Sequence, residues 1–122
     1  FLSAAASAKR AMLVATPDPV CLRDTVHTRK RLQEAGVTQQ RLIINRFSSA
    51  GFRAQGYYRD LDSIIDEAGV RLIAVIPNDP LLADAAANAR SAPQDAPGAM
   101  ALARLAARLE GNQVPLPPLQ KF

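Results

Sequence analysis

Two short polar clusters close otherwise apolar runs, and they hold the side chains best suited to recognising a ligand. Asn45 and Arg46 end the run RLIINR. A carboxamide presents a donor and an acceptor side by side, the pattern that pairs with the edge of an adenine ring. An asparagine at the end of a strand equally serves as a turn former or a backbone cap. The second cluster, Pro77-Asn78-Asp79-Pro80, leaves the run RLIAVIP. Its two prolines stiffen the loop, so that backbone groups there can bracket a flat ring. Asp79 before Pro80 also reads as a helix N-cap followed by a first helical residue, where the missing N–H of proline does no harm. A third tip, Thr16-Pro17-Asp18-Pro19, repeats the aspartate-proline pair. The single cysteine, Cys21, and single histidine, His27, give no internal disulfide, no Cys/His nucleophile pair and no metal cluster. No catalytic or metal-ligating residue is assigned.

The elements that position these tips follow from hydrophobic pattern. The runs AMLVATPDP, RLIINR and RLIAVIPNDP start at residues 11, 41 and 71. They are rich in Val, Ile and Leu without strict polar alternation, which predicts strands over 11–16, 41–46 and 71–76 buried on both faces of a parallel sheet. Helical stretches follow each run, so the fold class is α/β, a parallel sheet with flanking helices joined by right-handed crossovers. In such sheets ligands bind outside the carboxyl ends of the strands, where the three tips sit.

The first long helix spans 19–35, with Asp18 as N-cap and Gly36 as stop. Its buried stripe is Leu22, Thr25, Val26, Leu32 and Ala35, with Arg23, His27, Lys30, Arg31 and Glu34 on the wet side. Residues 47–56 read as a long loop. Asp60 caps a short helix over 61–68, and Gly69 ends it. An alanine-rich helix runs from Pro80 to about residue 88. The final helix, 98–110, is expected to bury Leu102, Leu105, Ala106 and Leu109 with Arg104 and Arg108 opposite. A short helix over 1–9 leads in, and 112–122, with three prolines, forms an extended tail.

A chain of 122 residues, 48% hydrophobic, is one domain or part of one. Its net charge of +4 comes from 15 basic residues interleaved with 11 acidic ones. Arg23, Arg29, Lys30, Arg31 and Arg41 therefore read as a solvated face, and nucleic acid is not an expected partner. No apolar run reaches the roughly twenty residues of a membrane-spanning helix. FLSAAASAKR lacks the order of a signal peptide and reads as a cut amino end, and with a single cysteine a reducing cytoplasm is the expected location.

The order of the pieces VATPDPVCLRDTVHTRKRL, LIINRF, a glycine-containing loop, the stretch from Asp60 to Asn88 and APGAMALARLAARLEG resembles the carboxyl half of a MinD/ParA-type deviant P-loop ATPase. The resemblance is nearest to the MinD septum-site-determining branch and covers 1–111. It implies the C-terminal part of a Rossmann-like three-layer P-loop domain. It further implies an adenine pocket formed by Asn45 with Arg46 and by the loop Pro77, Asn78 and Asp79. Arg23 and Asp24, after the Thr-Pro-Asp-Pro tip, become candidates for dimer or partner contacts. ATP or ADP is the implied cofactor on its adenine side only, and Mg2+ belongs to the intact parent. No glycine-rich loop with lysine before Ser or Thr occurs among the 122 residues. Hydrolysis by this chain alone is therefore not expected. Implied partners are the missing N-terminal ATPase half or a second copy, a homodimer in the parent and regulatory proteins. The parent is implied to work at a division site, peripheral at the membrane, although the proline-rich tail VPLPPLQKF is no membrane helix. The alternatives are a ParA-like partitioning ATPase that binds DNA nonspecifically, or a non-catalytic protein-binding module.

Overall fold

Strands β1 (Arg10–Ala15), β2 (Gln39–Phe47) and β3 (Leu72–Pro77) form a parallel sheet in the order β1-β2-β3. The structure is a computed structural model and describes residues 8–119 and 122. The helix expected over 1–9 therefore falls almost wholly outside the described residues. Among the described residues five helices flank the strands: α1 (Pro19–Glu34), α2 (Ser49–Gln55), α3 (Leu61–Ala68), α4 (Pro80–Ala87) and α5 (Pro97–Leu109). The parallel α/β class read from the sequence is the class observed.

The even-numbered β2 residues up to Ile44, Phe47 beyond the register shift, and the odd-numbered β1 residues face one layer. There Leu13, Ala15, Leu42 and Ile44 pack against Leu22 and Leu32 of α1 and Leu61 and Ile64 of α3. Ile43, Ala74 and Ile76 face the other layer and meet Ala101 and Leu105 of α5. The crossovers through α1 and α3 advance in the same direction across the sheet, and their common hand puts both helices on one side.

Local signals start and stop the helices. Asp18 Oδ1 accepts the Cys21 N–H at 2.9 Å, Asp60 Oδ1 accepts the Ser63 N–H at 2.9 Å, and Asp79 Oδ1 accepts the Leu81 N–H at 2.9 Å. Each such cap contributes about 1 kcal/mol. Gly69 ends α3 at φ 69°, a left-handed value that glycine adopts without a Cβ clash. Thr25 is buried inside α1, and its hydroxyl is satisfied by donating to the Cys21 carbonyl at 2.9 Å.

Five expectations are corrected, the last of them at Arg108. Residues 49–55 are helical, not looped: Ser48 Oγ accepts the Gly51 N–H at 3.3 Å and Gly56 supplies the left-handed stop. That helix buries none of its residues, so it shows no hydrophobic period. The inner face of α5 is Gly98, Ala101 and Leu105, while Leu102 and Leu109 are 45% and 38% exposed. Small residues win that face because the helix lies close: a Cβ on Gly98 would sit 2.0 Å from Leu82 Cδ1. Ala35 is exposed and Val26 only half-buried, leaving Leu22, Thr25 and Leu32 as the stripe of α1. Finally, among the described residues β1 is covered on one face only, its burial alternating residue by residue.

Arg108, expected on the wet side of α5, reaches the sheet instead. The pairing Leu42 with Leu72 and Ile43 with Ala74 leaves Ile73 as an extra residue on β3. A bulge of this kind releases a backbone carbonyl. Arg108 Nη1 donates to that Ile73 carbonyl at 2.9 Å, and Arg108 Nε donates to the Val114 carbonyl at 3.0 Å, tying α5 to β3 and the tail. Residues 112–118 form no helix or strand, and Phe122 lies at the sheet, its carbonyl accepting the Ser49 N–H at 3.0 Å and its ring 6.2 Å from that of Phe47.

A candidate nucleotide site at the carboxyl ends of the strands

The tips of β2 and β3 are fastened together. Asn78 N–H donates to the Phe47 carbonyl at 2.8 Å, so the loop after β3 turns over the end of β2. Just before that point β2 carries its own bulge: Ile44 pairs with Val75 and Phe47 with Pro77, leaving Asn45 and Arg46 opposite Ile76 alone. Arg46 absorbs the extra residue at φ 54°. A side chain with a Cβ in that region is disfavoured by about 1–2 kcal/mol, and bulges of this kind re-aim side chains at the rims of sheets.

An open cleft of about 440 Å³ lies at this edge, lined by Thr16, Asp18, Arg46, Ser48, Phe52 and Asn78 among others. It joins the tips of all three strands with the start of α2. Phe47 and Phe52, ring centres 5.2 Å apart, fix α2 against the end of β2. Asp18 is held as an anion: the Thr16 hydroxyl donates to it, the Cys21 N–H donates to it, and together they keep its carboxyl below the usual range. Farther out, burial pushes the Tyr58 phenol up, and the carboxylates of Glu67 and then Asp18 push in the same direction.

Of the residues singled out in the sequence, Arg46 and Asn78 line the cleft. Asn45 is half-buried in the bulge beside them and is not a lining residue, nor are Pro77 and Asp79. Pro77 is a buried strand residue paired with Phe47. Asp79 spends both oxygens on helix starts, Oδ1 on Leu81 N–H and Oδ2 on the Gly98 N–H of α5 at 2.9 Å. Arg23 and Asp24 lie on the exposed side of α1, one turn beyond Val20, which is 67% exposed. Thr16 and Asp18 enter the cleft from the tip that the sequence places at the ligand-binding edge and also reads as a helix start. Ser48 and Phe52 enter it from a segment that reads as a loop, although Ser48 and Gly56 at its ends are legible caps.

The cleft carries a cation, a carboxamide and a carboxylate, from Arg46, Asn78 and Asp18. Arg46 and Asn78 bring a guanidinium and a carboxamide to one wall, whereas no glycine-rich lysine loop is present in the sequence. Among the described residues no group of three or more Cys, His, Asp or Glu side chains is placed to hold a metal ion. No helix among them is long and apolar enough to cross a membrane.

No protein-family description matches the sequence, and no curated protein sequence matches it. Solved structures do. The MinD cell division protein of Aquifex aeolicus superposes with a TM-score of 0.88 at 24% identity, over 97% of this chain and 50% of that one. A MinC:MinD cell division protein complex from the same organism gives 0.79 at 24% identity, over 91% and 46%. The septum site-determining protein MinD of Pyrococcus horikoshii, complexed with Mg-ADP, gives 0.73 at 28% identity, over 85% and 42%. The chain thus has the α/β fold of the MinD cell-division ATPases and spans about half the length of the solved chains it matches.

Proposed function

We propose that this chain supplies the adenine-binding side of a MinD-like ATPase that acts in placing the cell-division site. The observation that carries the reading is the bulge in which Arg46 takes an unfavoured backbone conformation and lines one cleft with Asn78, with half-buried Asn45 beside that cleft. Strained, polar and at the carboxyl edge of a parallel sheet, it lies where the fold class binds ligands. The P. horikoshii structure holds Mg-ADP, which supports a nucleotide as the ligand.

In this reading the Asn45 carboxamide pairs with the adenine edge, Arg46 and Asn78 flank the ring, and Pro77 fixes the loop that carries Asn78. Asp79 acts as a positioning residue by holding α4 and α5. The bound nucleotide brings the phosphates and Mg2+ to a wall that a complementary half provides, and this chain's residues orient the base. Hydrolysis does not proceed on this chain alone. Arg23 and Asp24, with exposed Val20 beside them, form a contact face for a second subunit or a regulatory protein. A protein partner is present in the matched MinC:MinD complex. The location consistent with this role is cytoplasmic, with peripheral association at the membrane.

The test is base selectivity in a polypeptide carrying both halves. Asn45→Ala is expected to weaken ATP binding by about 1–3 kcal/mol, the usual effect of losing a buried polar partner, and to narrow the preference for ATP over GTP. Unchanged affinity and selectivity remove Asn45 from the site.

A further inference from the structure

A second polar cluster gathers at the amino ends of the strands, opposite the candidate nucleotide site. The turn from α1 into β2 and the turn from α3 into β3 lie side by side there, around a pocket of about 210 Å³. Arg29 and Gln40 line it with exposed Arg41 and Arg71. Arg29, which the charge pattern puts on a solvated face, is half-buried. Its guanidinium rests on Gly69, where a Cβ would sit 3.3 Å from both Cζ and Nε.

Gln40 is 6% exposed and its carboxamide has one workable orientation. Nε2 donates to the Val37 carbonyl at 2.9 Å and to the Arg29 carbonyl at 3.2 Å. Both amide hydrogens are thereby used, and a flipped group would set its oxygen against two carbonyls. The Gln40 Oε1 left over is buried and has no hydrogen-bond partner among the described residues. The same is true of Arg29 Nε. Native folds leave few such atoms, and each requires an explanation. A cation at the carboxyl end of a helix is favourable in itself, which accounts for a guanidinium beside Gly69 but not for an unused Nε–H.

The two atoms make opposite demands: Arg29 needs an acceptor and Gln40 a donor. Arg41 and Arg71 add positive charge, and among the described residues no carboxylate lines the pocket. Arg41 also borders a groove of about 450 Å³ that Arg10 and Arg108 line, so this end of the sheet attracts anions. Water satisfies the two orphan atoms and leaves the charge unanswered. Sulfate answers the charge and has no proton for Gln40 Oε1. Hydrogen phosphate does both, because a charged oxygen accepts from Arg29 while the P–OH donates to Gln40. A phosphomonoester loses its last P–OH with a pKa of about 6, and a phosphodiester has none. At neutral pH the free anion is the form that fits.

We propose that this pocket binds inorganic hydrogen phosphate. Arg29 Nε–H and Gln40 Oε1 hold its two kinds of oxygen, and Arg41 and Arg71 neutralise its charge. The inference stands apart from the nucleotide reading and does not depend on it.

The test is an NMR titration of the full 122-residue chain with inorganic phosphate at constant ionic strength. At about pH 7.5 methyl phosphate has lost its P–OH while inorganic phosphate keeps one. Saturable shifts are expected at Arg29 Nε–H, at the Gln40 side-chain amide and at the backbone amides of 69–71. Sulfate and methyl phosphate are expected to bind at least about 10-fold more weakly, since each leaves Gln40 Oε1 unpaired. Arg29→Met is expected to abolish the saturable response, and Lys30→Met, next in the chain and exposed, to leave it unchanged. Selectivity among the three anions is read on the unaltered chain and so does not rest on either variant. Three results overturn the proposal. They are equal affinity for the three anions, which reduces the pocket to a general attraction by arginines; no saturable shift at Arg29 or Gln40 in millimolar phosphate, which assigns the two atoms to a bridging water; and phosphate binding that survives Arg29→Met.

Discussion

Asp79 joins two helices that are separated by a breaker segment, and its replacement yields a graded prediction. Its Oδ1 accepts the Leu81 N–H at the start of α4, and its Oδ2 accepts the Gly98 N–H at the start of α5, both at 2.9 Å. The N-cap position of α5 is Ala96, which has no side-chain hydrogen bond of its own, so Asp79 is the side chain that satisfies that end. A lost N-cap acceptor destabilises by about 1 kcal/mol, and a buried N–H left without a partner by about 1–3 kcal/mol. Asp79→Ala removes both acceptors and is expected to destabilise the fold by about 2–4 kcal/mol, the sum of one cap and one orphaned donor. Asp79→Asn keeps one oxygen and replaces the other with a donor, so it is expected to lose about half as much. Urea unfolding reads both values as a shift in midpoint at unchanged slope. The reasoning fails if asparagine destabilises as much as alanine, or if alanine stays within about 0.5 kcal/mol of wild type, the scatter of ordinary surface changes.

Further outcomes are expected at the site itself. Arg46→Gly relieves a left-handed conformation at φ 54° and is expected to stabilise the fold by up to about 1 kcal/mol, after the entropy of a free glycine is set against the strain. The same change is expected to weaken adenine-nucleotide binding, so thermal unfolding and nucleotide titration should move in opposite directions. Asp18 has its pKa lowered in the fold, first by the Thr16 hydroxyl and then by the Cys21 N–H. A carboxyl with a depressed folded pKa contributes stability above its unfolded value of about 3.9 and loses it as pH falls through the folded value. Stability curves are therefore expected to lose this contribution below about pH 4, and Asp18→Asn is expected to flatten that acid limb while leaving the slope between pH 5 and 7 unaltered.

How much of this was legible in the sequence depends on what each signal measures. Helix α3 begins at Leu61 and ends at Ala68 as read, because Asp60, Gly69 and a strong apolar period all report the same element. Helix α2 was hidden because it buries none of its residues and so leaves no period to read, only the caps Ser48 and Gly56. The inner face of α5 is not legible because hydrophobic pattern marks its leucines as the buried side. Close approach of α4, with Leu82 filling the space over Gly98, selects small residues there instead. Those displaced leucines, like Met12 and Val14 of β1, keep the apolar character that the sequence shows and that this part of the fold leaves uncovered. The candidate site divides in the same way. Position at the strand tips follows from topology, but the bulge that separates Arg46 from Asn45 is a register shift of one residue between β2 and β3, and composition carries no trace of it.

The central claim is that the carboxyl edge of this sheet recognises adenine, and residue-resolved NMR of the chain titrated with ATP tests it most directly. The account predicts that amide and side-chain shifts concentrate at Asn45, Arg46, Ser48 and Asn78, with GTP producing smaller changes at the same residues. Shifts confined to the arginine groove of Arg10, Arg41 and Arg108 at the opposite end of the sheet, or equal responses to ATP and GTP at the strand tips, would contradict it.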